Sequence, residues 1–214
     1  MRSLLLLPIL VALATGATLD FNQYWNAQQI DDYLDELVGD FPTIASVVNV
    51  GTSSEGRRIR ALRVSKDGNA NRPLVIVEAG LRAREWISPM SACYILHEIV
   101  EHYYEFEHIL DNVNFLVVPL ANPDGYEFSR TSNRMWLKSR SVNGNGCFGT
   151  DLNRNFGYLW NTVGGSTDPC ADNFVGTAAF STPETAALRD LVQSNSANLE
   201  LYLSIQSADQ MVLW

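Results

Sequence analysis

Residues 79–88, A-G-L-R-A-R-E-W-I-S, decide how this 214-residue chain is read. An apolar run, residues 74–77, leads into them, and Ser88-Pro89 at the far end reads as a helix start, with serine as N-cap and proline in the first turn. A strand C-terminus feeding a helix N-terminus is where open α/β sheets place their ligands. The charged residues of this turn, Arg82, Arg84 and Glu85, are therefore the first candidates for a functional site.

Outward from that turn, Ile30, Tyr33, Leu34, Leu37 and Val38 recur at helical spacing, and a helix over residues 28–38 is expected to stop before Gly39 and Phe41-Pro42. Residues 46–50 and 59–64 read as a hairpin-like strand pair around the turn 52–56, and residues 74–77 as a buried strand. Residues 89–105 read as one long helix, 114–120 as the next strand, and Asn122-Pro123-Asp124-Gly125 as the turn after it. From Ser129 to about Thr182 the pattern dissolves into a Gly- and Asn-rich region, and an irregular insert of that length is usually functional. Thr182-Pro183-Glu184 caps a helix through Val192, and residues 199–205 form the last strand. Strands separated by helices predict an α/β fold in one domain. Its sheet should be mixed and mostly parallel, with helices on its faces, because the first hairpin brings in an antiparallel pair.

Met-Arg, an almost wholly apolar stretch at residues 4–13 and then A-T-G-A (residues 14–17) have the layout of a signal peptide at residues 1–17. That leaves a domain at residues 18–214 and a secreted, extracellular destination. The apolar stretch is too short to span a bilayer. The chain is 46% hydrophobic, which argues against disorder, and its net charge of −9 excludes nucleic acid and anionic membranes as natural partners. Of its three cysteines, Cys93 falls in the apolar part of a helix and is expected as a buried free thiol. Cys147 and Cys170 bracket a Gly-, Asn- and Ser-rich stretch within that long loop, and a disulfide stapling it is expected, contributing about 3 kcal/mol by loop entropy.

Five short motifs follow one another along the chain. They are T-S-S-E-G-R-R-I (residues 52–59), the 79–88 stretch itself, N-P-D-G-Y (122–126) with T-S-N-R-M-W (131–136), D-L-N-R-N-F (151–156) and L-S-I-Q-S (203–207). Taken in this order they resemble the zinc carboxypeptidases of the carboxypeptidase A/B family, whose reaction is zinc-dependent hydrolytic release of C-terminal residues from peptides. Peptide or protein C-termini are then the implied partners. The resemblance assigns Asn153 and Arg154 to the substrate carboxylate, which suits arginine's planar fork. It assigns Arg134 to the oxyanion of the tetrahedral intermediate, and Arg84 and Ser207 to further substrate contacts.

The metal is where this chain departs from the family pattern. A catalytic zinc is held by three protein ligands, commonly two His and one Glu. The family's positions are here Arg82, Glu85 and Gln206, so Glu85 is the one retained ligand. A guanidinium has no lone pair to donate, and an amide oxygen is a poor zinc ligand beside imidazole. Zinc is the family cofactor, but this chain is expected to bind it weakly or not at all, with Arg82 paired to Glu85 instead. The remaining histidines are His97, His102 and His108. In H-E-I-V-E-H (97–102) the two outer residues are five apart, which on a continuous helix separates them by about 140°, so they are not expected to share a metal.

The family's domain continues beyond the L-S-I-H-S strand with its general base and specificity pocket, and neither is matched in these 214 residues. The resemblance thus implies an incomplete carboxypeptidase-like domain, catalytically inactive, with a sheet edge left for a partner to cover. Two other readings stay open: a non-catalytic binder of peptide C-termini, or a truncated, non-functional product.

Overall fold

The computed structural model describes residues 20, 22–207 and 210–213, so the expected signal peptide at residues 1–17 lies outside it. Five strands, β1 (Ala45–Thr52), β2 (Arg58–Val64), β3 (Leu74–Ala79), β4 (Asn114–Val118) and β5 (Leu199–Ile205), form one sheet in the order β1-β2-β4-β3-β5. β2 runs antiparallel to both its neighbours, while β4, β3 and β5 are parallel, so four of the five strands point the same way. This is the mixed, mostly parallel sheet expected from the sequence.

Alternation along the strands sorts side chains onto two faces. On one face, Leu62, Val64, Val77, Ala79 and Val117 pack against Ile30, Tyr33, Leu34 and Leu37 of α1 (Ala27–Asp40) and Cys93, Leu96 and Val100 of α2 (Ile87–Glu101). On the other, Ile59, Ala61, Leu74, Ile76, Leu116 and Val118 meet Leu188 and Leu191 of α5 (Pro183–Ser194). α1 opens on a capping box, Asn26 and Gln29 each bonding the other's backbone N–H. Cys93 is the buried free cysteine, and Cys147 and Cys170 form the disulfide.

Three sequence expectations change here. The long helix 89–105 is two helices: α2 ends at Glu101, His102 adopts φ −100°, ψ 31°, and α3 (Tyr103–Leu110) sets off anew. Ser88 is not an N-cap, because α2 starts one residue earlier. Its hydroxyl instead accepts from the Gly80 N–H at 2.9 Å and donates to the Ile205 carbonyl, tying the ends of β3 and β5 together. Asn122-Pro123-Asp124-Gly125 opens helix α4 (Pro123–Thr131), with the Asn122 side chain accepting from the Gly125 N–H at 3.1 Å. Asp124, at the start of that helix, holds the β1–β2 turn through Ser53 Oγ, the Glu55 N–H and Arg57 Nη1, each at 2.7 Å.

β5 is an edge strand, and Leu201 and Leu203 on it are exposed. No helix among the described residues is long and apolar enough to cross a membrane.

Candidate functional site

The parallel strands β3, β4 and β5 end on one side of the sheet, and the chain leaving β3 turns sharply there. Gly80 has φ +68°, and a Cβ on it would lie 2.7 Å from Leu120 Cδ1, so only glycine fits. The turn that follows is held from outside. Leu81 O accepts from Asn122 Nδ2 at 3.1 Å, the Ala83 N–H donates to Leu137 O at 3.0 Å, and Ala83 O accepts from Ser129 Oγ at 2.9 Å. The result is a rigid mount for Arg82 and Glu85.

Glu85 is buried and spoken for on both oxygens. Its Oε1 faces Arg82 Nη1 at 3.4 Å, and its Oε2 accepts from the Ser207 N–H at 2.7 Å. The expected Arg82–Glu85 pair is therefore present, three residues apart in the turn. Arg82 Nε is buried with no hydrogen-bond partner among the described residues, so the guanidinium is incompletely satisfied. Gln206 does not turn toward Glu85: its Nε2 donates to Asn153 Oδ1 at 3.0 Å and to Ser204 Oγ at 3.3 Å.

Asn153 and Arg154 lie in a short 3-10 turn, Leu152–Arg154, opened by Asp151. Arg154 Nε pairs with Asp151 Oδ2 at 3.0 Å, and its side chain is still 35% exposed. Asp151 is a site residue that sequence reading passed over inside its motif. Burial pushes its carboxyl up, and the Arg154 and Arg82 charges pull it back down. Arg134 is exposed at the end of the loop after α4, stacked 3.8 Å over the Trp86 ring and donating to the Arg84 carbonyl at 2.8 Å. Arg84 thus enters through its backbone, which fixes Arg134. Arg82, Glu85, Gln206, Ser207, Asn153, Arg154 and Asp151 form one connected cluster, with Arg134 anchored on the same turn.

Beneath the cluster, on β3, lies Glu78, which no motif singled out. It is fully buried, Tyr202 Oη sits 3.4 Å from its Oε2, and its Oε1 has no partner among the described residues. Burial pushes its carboxyl up to about 7, Glu85 adds to that, and the Ser204 and Tyr202 hydroxyls oppose it. Between pH 4.5 and about 7 the folded chain keeps a proton that the unfolded chain has released, so stability falls as pH rises through that window and levels off above it. The loss is on the order of 3 kcal/mol. Urea unfolding across this range should show the slope in the parent chain and lose most of it in Glu78→Gln; parallel slopes would count against it.

The arrangement does not suit a zinc ion. One carboxylate faces the centre, already paired with a cation, and the amide at position 206 is engaged elsewhere. The other histidines pair along α2 with carboxylates four residues away, His97 with Glu101 at 2.9 Å and His102 with Glu98 at 3.5 Å. The His97 and His102 rings, expected to point apart, stand 5.0 Å from each other between centroids.

Residues 30–214 match the family model described as "Zinc carboxypeptidase". The chain is 40% identical over 198 residues to a carboxypeptidase B from Astacus astacus, covering 92% of this chain and 65% of that protein. It is 38% identical over 205 residues to a carboxypeptidase B from Helicoverpa zea, covering 93% of this chain and 48% of the relative. Among solved structures, the carboxypeptidase A from Helicoverpa armigera superposes with a TM-score of 0.84 at 37% identity, over 89% of this chain and 47% of that one. Thrombin activatable fibrinolysis inhibitor also superposes with a TM-score of 0.84, at 30% identity, over 88% of this chain and 48% of that one. The chain spans about half the length of most of these relatives.

Proposed function

This chain belongs to the zinc carboxypeptidase family, and from that premise we propose that it binds the C-termini of peptides without hydrolysing them. The reading rests on the contact between Arg82 and Glu85, 3.4 Å apart. A fixed positive charge stands beside the one retained carboxylate, so a divalent cation there would meet repulsion and find a single ligand. Gln206 is bonded to Asn153 and adds no imidazole. The carboxylate-recognising groups, by contrast, are retained: Arg154 is partly open to solvent beside Asn153, and Arg134 is held against Trp86. Guanidinium groups pair with carboxylates bidentately and independently of any metal. Secretion, directed by residues 1–17, would place the protein among extracellular peptides.

Calorimetry with one peptide as its free acid and as its C-terminal amide tests the proposal. The free acid should bind at least about tenfold more tightly, and Arg154→Ala should remove most of that difference, as expected for a charge-assisted contact. Equal affinity for the two peptides would sink the reading. Release of the C-terminal residue when zinc is supplied would overturn the inactive assignment.

A further inference from the structure

We propose that His97, Glu98 and His102 form a zinc site at the junction of α2 and α3. Each offers one ligand atom, and these atoms lie within 4.8 Å of one another. A tetrahedral zinc with bonds of about 2.0–2.1 Å spaces its ligands about 3.3 Å apart, so a modest closing movement completes the site. His102 is nearly half exposed and Glu98 partly so, which leaves both side chains room for that movement.

The ligands gather on the last turns of α2. His102 ends α2 and begins α3, and its ring stands edge-on to that of His97, 5.0 Å away with an interplanar angle of 84°. His102 Nδ1 already lies 3.5 Å from Glu98 Oε2. Behind His97 stands a carboxylate: Glu101 Oε1 lies 2.9 Å from its Nδ1, and the same oxygen accepts from Tyr33 Oη at 3.2 Å. A carboxylate beside one ring nitrogen favours coordination through the other, which for His97 is Nε2. Two imidazoles and a carboxylate suit zinc better than calcium or magnesium. Burial and Asp40 push the Glu36 carboxyl of α1 up and Glu101 adds to that, and Glu105 sits in the first turn of α3, so the surroundings are acidic.

This centre is independent of the strand-end cluster. α2 spans 15 residues, about 22 Å, with Glu85 before its start and His102 at its end. Bound zinc would fasten His102, the residue from which α3 sets off, to the last turns of α2, at a junction that lacks a side-chain cap.

Titration of the purified chain with zinc chloride, read by calorimetry and by competition with a chromogenic chelator, should show one ion per chain. His102→Ala and His97→Ala should each weaken binding at least about tenfold. Glu101→Gln should weaken it about tenfold at unchanged stoichiometry, the signature of a residue that orients His97. Circular dichroism confirms that each variant folds, and His102, being exposed, is the safest to remove. No zinc uptake would overturn the proposal. So would uptake lost in Glu85→Gln but kept in His102→Ala, which would place the ion at the strand ends.

Discussion

Replacing Arg82 and Gln206 together by histidine is expected to create a tight zinc site where the parent chain has none. In a His97→Ala background, which silences the helix junction, metal content after dialysis against a weak chelator should rise from well below one zinc per chain to one. Three changes act together. Removing the guanidinium takes away the charge that opposes a cation and frees Glu85 Oε1 from its 3.4 Å contact. It also removes a buried Nε–H without a partner, a defect worth about 1–3 kcal/mol. Imidazole at position 82 supplies the second ligand from the same turn as Glu85. Imidazole at 206 supplies the third ligand from the end of β5, next to Ser207, whose N–H fixes Glu85 Oε2.

Three-ligand sites of this composition gain several orders of magnitude in affinity over a lone carboxylate, so the effect should be close to all-or-none. Each single substitution should fall far short. Gln206→His alone leaves the guanidinium in place, and Arg82→His alone leaves two ligands. A folded double variant that stays zinc-free would show that the backbone at 82–85 or at 206 no longer presents ligands to one point, and the substitutions would then not be what excludes the metal.

The sheet and most helices were legible in the sequence because their signals are local. The β1–β2 hairpin, β5 and the Thr182-capped helix α5 all lie within a residue or two of expectation. Asn122-Pro123-Asp124-Gly125 misled because the residues that make a turn also make a helix start: asparagine caps, and proline suits the first helical position. The break at His102 carried no glycine or proline to announce it, and the His97–His102 ring approach depends on side-chain orientations that no spacing encodes. In the site, Arg82 and Glu85 were readable because they share one turn. The bond from Gln206 to Asn153 joins residues 53 apart, and the bond from Ser207 to Glu85 joins residues 122 apart. Such contacts are set by the sheet's topology, which brings the ends of β3 and β5 side by side, and no spacing rule encodes them. Glu78 was hidden for a different reason: one carboxylate in an apolar strand has no pattern to mark it until its burial is known.

Asn155→Ala is expected to destabilise the fold by about 3–4 kcal/mol and to weaken peptide binding with it. The residue follows the Asn153-Arg154 pair directly and is fully buried. Its Nδ2 donates to Val175 O at 2.7 Å, Ala178 O at 2.8 Å and Ser181 Oγ at 3.0 Å. Its Oδ1 accepts from Thr185 Oγ1 at 2.7 Å and from the Thr182 N–H at 3.3 Å, where α5 begins. One amide thus ties the irregular segment before α5 to the helix cap and to the turn bearing Arg154. The backbone approaches it closely: Gly176 has φ +88°, and a Cβ there would lie 2.5 Å from Asn155 Nδ2, so that position must stay glycine. Alanine fills neither role and leaves several buried groups without partners, although Val175 O keeps its 3.1 Å bond from Trp160 Nε1. Asn155→Asp should be worse still, since it turns donors into acceptors facing two carbonyl oxygens. Urea unfolding measures the first effect, and calorimetry with a free-acid peptide, on the fraction still folded, measures the second. A loss below about 1 kcal/mol in Asn155→Ala would mean that neighbouring groups or water re-pair the segment, and that the Asn153-Arg154 turn is held by the Asp151–Arg154 contact instead.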